Sequence, residues 1–214
     1  MTQDITRLIA GFRRFQKSWF CADHNLFNDL QEGQNPRALV IACSDSRVDP
    51  AILLDCNPGD LFVIRNVANL VPPYEPDTRH HGVSAALEFA VRHLEVEHII
   101  VMGHAHCGGI HALLDEGDLH EGEFIRYWMQ IAERARALVE IELPDVDPAT
   151  RARACEQSAV KVSLDNLLTF PWIRKRVDAG SLLLHGWFFD LAAGSLLGYD
   201  ADDDTFTPLV DRCL

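Results

Sequence analysis

At 214 residues, with nearly half of them apolar and about a quarter charged, the chain is long enough to bury one ordinary core and needs no second domain. A formal charge of −13, with acidic residues spread along the chain, repels polyanions and excludes nucleic acid and anionic membrane surfaces as partners. No run approaches the roughly 20 apolar residues of a membrane span.

The first thirty residues, Met1 to Leu30, are amphipathic and charged, without the basic start and smooth apolar run of a secretory signal, so a cytoplasmic location is expected. In that reducing compartment the six cysteines (Cys21, Cys43, Cys56, Cys107, Cys155 and Cys213) read as free thiols or metal ligands. Ile5, Leu8, Ile9, Phe12, Phe15, Trp19 and Phe20 recur at helical spacing, which predicts a helical arm over residues 1–32. So large an aromatic face needs a surface to cover, either the chain's own sheet or a neighbouring subunit.

Gly33-Gln34-Asn35-Pro36 ends the arm, and the run Ala38 to Ala42, short and uniformly apolar, predicts a buried strand of a parallel sheet. Pro58-Gly59-Asp60 turns the chain into a second strand, Leu61 to Ile64, with Arg65-Asn66 at its carboxyl end. Pro72, Pro73 and Pro76 stiffen a loop, after which Val83, Ala86, Leu87, Ala90, Val91 and Leu94 mark a helix leading into the strand His98 to Gly103. A short helix follows to about Leu114, then a longer one carrying Phe124, Trp128, Ile131, Ala135, Leu138 and Glu142, and a third with Val160, Leu164, Leu167 and Leu168. Ser181 to Phe189 and Leu196 to Tyr199 read as a fourth parallel strand and an antiparallel edge strand. The expected architecture is therefore an α/β domain: a central, mostly parallel sheet of four parallel strands plus one antiparallel edge strand, flanked by helices. The acidic cluster Asp200, Asp202, Asp203 and Asp204 reads as a solvated turn.

Two stretches carry chemistry. Cys43-Ser44-Asp45-Ser46-Arg47 follows the first strand, and His104-Ala105-His106-Cys107-Gly108-Gly109 follows the third. Ligands at the carboxyl ends of neighbouring parallel strands converge in the crevice where open α/β sheets bind. Cys43, His104 and Cys107 make a donor set of two thiolates and an imidazole, which suits zinc and disfavours magnesium or calcium. Three protein ligands leave one tetrahedral position open for water, which zinc ionises near a pKa of about 7. Asp45 is placed to accept a hydrogen bond from the resulting hydroxide, and Arg47 to hold Asp45 ionised and keep it from closing the metal as a fourth ligand. Cys21, Cys56, Cys155 and Cys213 read as core or surface thiols.

The segments C-S-D-S-R-V, F-V-I-R-N-V-A-N-L-V-P-P-Y and G-H-A-H-C-G-G-I resemble those of the β-class carbonic anhydrases, over nearly the whole chain from Gly33 to about Tyr199. That resemblance implies one zinc per subunit on Cys43, His104 and Cys107, the dyad Asp45–Arg47, and reversible hydration of carbon dioxide to bicarbonate and a proton by zinc-bound hydroxide. One subgroup of the family has an added bicarbonate pocket of tryptophan, arginine and tyrosine. The matching positions here are Val40, Arg65 and Phe189, so the chain resembles the plant-like subgroup, and bicarbonate is not expected to close the zinc site. That subgroup implies a substrate pocket of Gln34, Phe62 and Val67, with Phe89 where the subgroup has tyrosine, and a further donor at the Gly108 amide. It also implies a site at a dimer interface embraced by the N-terminal helices, in a homodimer or a dimer of dimers.

Two rival readings remain at this point. Relatives with the same fold and ligands hydrolyse carbon disulfide or carbonyl sulfide, which the motifs do not separate from carbon dioxide hydration. A noncatalytic structural zinc closed by Asp45 is the other, and the presence of Arg47 beside Asp45 argues against it. No C-x-x-C supports thiol redox chemistry, and no G-x-G-x-x-G supports dinucleotide binding.

Overall fold

The computed structural model describes residues 3–21, 26–77, 79–115 and 122–210. Among them six strands form one sheet: β1 (Ala38–Cys43), β2 (Leu61–Asn66), β3 (His98–His104), β4 (Leu183–Asp190), β5 (Ser195–Asp200) and β6 (Thr205–Val210), in the order β2-β1-β3-β4-β5-β6. The first four are parallel, and β5 and β6 are antiparallel. The expected mostly parallel sheet is present, with one strand more than the sequence reading foresaw. The acidic turn at 201–204 connects β5 to β6 rather than ending the sheet. Pro208 sits in that last strand, a position tolerated only at an edge because proline has no amide to donate.

β1 and β3 are continuous apolar runs because both their faces are covered. Leu39, Ile41, Ile99 and Val101 point to a core with Leu87, Val91, Val160, Leu167, Phe170 and Ile173. These come from α4 (Gly82–Glu88) with the π-turn that continues it over Phe89–His93, from α8 (Pro148–Leu167), and from α9 (Pro171–Asp178), with Phe170 just before it. Val40, Ala42, Ile100 and Met102 point the other way, onto Leu53, Leu54, Leu61 and Trp187. α8 lies close enough to β3 that a Cβ on Gly103 would stand 2.6 Å from Val160, so glycine is required there by space.

The second apolar cluster lies beneath the strand ends. It joins Cys43 and Cys107 to Ile110, Met129, Ala135, Val139, Cys155 and Val162. The helix expected over residues 124–142 is broken into α6 (Ile125–Met129), a 3-10 turn and α7 (Glu133–Glu142). The short helix after the glycine pair, α5, runs over Gly108–Leu114 as the pattern predicted. Asp49-Pro50, which reads as a breaker, instead starts α3 (Pro50–Leu53): Asp49 Oδ1 accepts from the amides of Ala51 and Ile52, and proline occupies the first helical position.

The arm forms α1 (Gln3–Phe20), and α2 (Leu26–Leu30) follows it. None of the α1 residues is buried. Phe15, Trp19 and Phe20 meet Phe27 of α2, while Leu8 and Phe12 are each 62% exposed. Of the cysteines read as bystanders, Cys155 is buried, Cys56 half-buried and Cys21 exposed, whereas Cys213 lies outside the described residues. Among the described residues no helix is long and apolar enough to cross a membrane.

Candidate metal centre

The register that aligns Ala42 with Met102 brings the carboxyl ends of β1 and β3 side by side, so Cys43 and His104 face one crevice. Cys107 joins them one tight turn later, as the residue that caps α5. Cys43, His104 and Cys107 are all buried, and their ligand atoms lie within 4.8 Å of one another. Among the described residues this is the one group of three or more such side chains close enough to share a metal ion.

The orientation of His104 is decisive for what the group can hold. Its Nδ1 lies 2.9 Å from the Ala105 carbonyl oxygen, and since a carbonyl only accepts, Nδ1 carries the proton. Nε2 is then a bare lone pair, buried and without a hydrogen-bond partner. Such an atom is costly unless something electrophilic fills its reach. The neighbouring Cys107 thiol lowers the Cys43 pKa, helped by His104 and by the amides of Asp45 and Ala68, against burial, which raises it. The nearby Cys43 sulfur, with burial, pushes Cys107 up, although the Ile110 and Gly109 amides favour its thiolate. A divalent cation between them would ionise both sulfurs and use the free imidazole lone pair, and two thiolates with one imidazole suit zinc.

The loop after β1 is held by two arginines. Arg47 grips Asp45 from two directions: its backbone amide and Nε donate to Oδ1, each at 2.9 Å, and Nη2 donates to Oδ2 at 2.6 Å. Nη2 also reaches across to the His106 carbonyl at 3.0 Å, tying the two ligand-bearing loops together. Hydrogen bonding to Arg47 holds the Asp45 carboxyl well below the usual carboxylate range. Arg65 takes the loop from beneath, donating to the carbonyls of Cys43 at 3.0 Å and Asp45 at 2.7 Å and to Asp49 Oδ2 at 2.9 Å.

The family described as Carbonic anhydrase matches residues 38–196, a span that holds all three metal-facing residues. Beta carbonic anhydrase 3 of Arabidopsis thaliana is 38% identical over 204 residues, which are 94% of this chain and 79% of that protein. The chain belongs to the β-class carbonic anhydrases. The solved structure of the β-carbonic anhydrase CcaA superposes on it with a TM-score of 0.92 at 37% identity, covering 99% of this chain and 94% of that one. One of two tetrameric β-carbonic anhydrases from Sordaria macrospora gives a TM-score of 0.74 at 33% identity, over 91% of this chain and 93% of that one. The protein is thus a carbonic anhydrase, and the reversible hydration of carbon dioxide is its reaction.

Not every residue expected at the carbonic anhydrase pocket lies at this centre within one subunit. Val67 does: its Cγ1 lies 2.8 Å from where a Cβ on Gly109 would stand. Gly108, directly after Cys107, is there too. Phe62 and Phe89 pack on each other, with ring centroids 5.9 Å apart. Phe62, however, pairs with Leu39, four residues before Cys43, so it sits about 13 Å back along the strand. Phe89 is 44% exposed, and Gln34 is also exposed, in the loop before β1.

Three features at the centre escaped the sequence reading. Glu156, on α8, is 4% exposed and accepts the Cys107 amide at 2.9 Å. Arg65, read only as a remnant of a bicarbonate pocket, is a clamp on the loop after β1. Ala68 and Asn69 adopt left-handed backbone, φ 62 and 49, in a turn whose ends are joined by two 2.8 Å bonds between the Asn66 side chain and the Leu70 backbone. A glutamate among the small and apolar buried residues Ala152, Cys155, Ala159 and Val160 of α8 was the one signal available.

Proposed function

We propose that carbon dioxide is hydrated at Cys43, His104 and Cys107 with one zinc ion per subunit, and that Asp45 and Arg47 direct the attacking oxygen. The observation that carries this reading is the buried, unpartnered Nε2 of His104, with the buried sulfurs of Cys43 and Cys107 within 4.8 Å of the imidazole ligand atom and of each other. Cys43, His104 and Cys107 would hold the zinc, and the chemistry it would supply there is hydroxide at neutral pH, from a water whose pKa falls to about 7.

The remaining work falls to the chain. Asp45, kept ionised by Arg47, is acceptor-only and accepts a hydrogen bond from the attacking O–H group without removing its proton, which aims the oxygen lone pair at carbon. The three Arg47 contacts also restrain Asp45 from turning onto the metal. Val67 offers an apolar wall, and the Gly108 amide a donor to an oxygen of bicarbonate. Arg65 commits three of its five donors to Cys43, Asp45 and Asp49, and Val40 and Phe189 supply neither the indole nor the phenol of a bicarbonate pocket. That supports a site which bicarbonate does not close.

Gln34, Phe62 and Phe89 complete the pocket in this reading by facing the centre of a second copy. Their exposure and their distance from the subunit's own Cys43 support that arrangement, and so does the uncovered aromatic face of α1, which would lie across the partner. The Sordaria macrospora relatives are tetrameric, in line with a homodimer or a dimer of dimers. Stopped-flow carbon dioxide hydration with parallel zinc analysis and sedimentation tests the proposal. Fast hydration by a zinc-loaded oligomer is expected, and fast hydration by zinc-free protein would refute it.

A further inference from the structure

The turn from His104 to Cys107 is unusual. His106 has φ 57, a left-handed conformation disfavoured for any residue with a side chain. Such a turn persists only when its surroundings over-determine it. Three contacts do so: the Ala105 amide donates to the Phe189 carbonyl at 2.9 Å, Arg47 Nη2 donates to the His106 carbonyl at 3.0 Å, and the Cys107 amide donates to Glu156 Oε1 at 2.9 Å. The first two hold residues flanking the ligand. The third holds the ligand residue itself.

Glu156 is a costly choice for that task. It is buried on α8 next to Cys155 and Ala159, both also buried, and the nearest ring nitrogen of His111 stands 3.9 Å away, beyond hydrogen-bond reach. Burial raises its pKa. A serine or asparagine at this place on the helix would not span the gap from α8 to the Cys107 amide, whereas glutamate and glutamine would.

We infer that Glu156 is a positioning residue for the metal ligand Cys107: its carboxyl oxygen fixes the Cys107 amide and with it the direction of the sulfur, and its reach rather than its charge is what the site uses. This rests on Cys107 being a ligand, as proposed above. Outer groups of this kind typically change metal affinity about 10- to 100-fold when removed.

The test compares Glu156→Gln, which keeps the reach and loses the charge, with Glu156→Asp, which keeps the charge and loses the reach. Zinc affinity is read by chelator competition, and the sulfur-to-metal charge-transfer bands are read on cobalt-substituted protein. Expected are wild-type bands and affinity within about threefold for Glu156→Gln, and shifted bands with affinity about 10- to 100-fold weaker for Glu156→Asp. Wild-type behaviour of Glu156→Asp, or a Glu156→Gln as impaired as the aspartate, would overturn the inference. Should Glu156→Asp not fold, Glu156→Gln decides alone, since a role for charge requires it to be impaired. Cys107→Ser in the same series separates the two levels: charge-transfer bands unchanged there would sink the ligand reading itself.

Discussion

The two strand ends that meet at the metal centre are held by opposite means. The loop after β1 is gripped by cationic side chains reached from solvent: the Arg47 side chain is 51% exposed and that of Arg65 29%, and the carboxylate between them, Asp45, is 17% exposed. The turn after β3 is gripped mainly from within, by the backbone carbonyl of Phe189 and by Glu156, whose side chain is 3% exposed, with Arg47 reaching it only at the His106 carbonyl. In the proposed reading Asp45 and Arg47, which meet substrate, stand on the open loop, and Cys107, which only holds the metal, stands in the sealed turn. Charge pairs near solvent keep a carboxylate aimed while leaving it accessible, and buried hydrogen bonds fix a sulfur where no water competes.

If the sealed turn serves the metal alone, breaking it should remove the metal and everything downstream. Cys107→Ser is expected to fall from about one zinc per chain to a small fraction, by atomic absorption, with hydration at background. A full zinc complement in that variant would remove Cys107 from the ligand set. On the open loop the outcome should be the reverse. Asp45→Asn and Arg47→Ala are expected to keep their zinc and to lose turnover by about 100-fold or more, the cost typical of a misoriented reacting group. Near-wild-type turnover in either would end their role in orienting the attacking oxygen.

The contrast also sets what could be read from sequence. The β1 and β3 runs, C-x-D-x-R and H-x-x-C-G-G were legible because a strand covered on both faces is apolar throughout, and ligands at its carboxyl end follow at once. β6 was not: Thr205, Phe206, Thr207 and Pro208 mix polar residues with a proline, which is what an exposed edge tolerates and what sequence patterns count against a strand. α9 has one buried residue, Ile173, and so little periodicity to show. Arg65 and Glu156 were recognisable as residue types but not as partners, since they act on backbone atoms 22 and 49 positions away. The left-handed turn at Ala68 has no glycine to announce it.

A smaller effect is expected at the clamp beneath the open loop. Arg65→Met removes donors to two backbone carbonyls and to the Asp49 carboxylate that caps α3. A loss of about 1–3 kcal/mol in denaturant unfolding is expected, with zinc retained, because unpaired carbonyls near the surface are partly re-solvated. Loss of zinc there would show that the open loop holds the metal as firmly as the sealed turn, and the division between them would fail.

The least disruptive test compares the two adjacent glycines that open α5. A methyl group on Gly109 would meet Val67 Cγ1 at 2.8 Å and the Ala68 Cβ at 3.1 Å, both fixed by the left-handed turn after β2. One on Gly108 would meet nothing within 4 Å. Gly109→Ala should therefore cost about 1–3 kcal/mol as an overpacked contact. Gly108→Ala should stay within about 0.5 kcal/mol of wild type, as a substitution into open space does. Because Gly108→Ala keeps its amide, turnover should also be preserved if only the backbone there meets substrate. Equal costs at the two positions would mean that the turn after β2 yields, and that the sealed side of the site is softer than its hydrogen bonds imply.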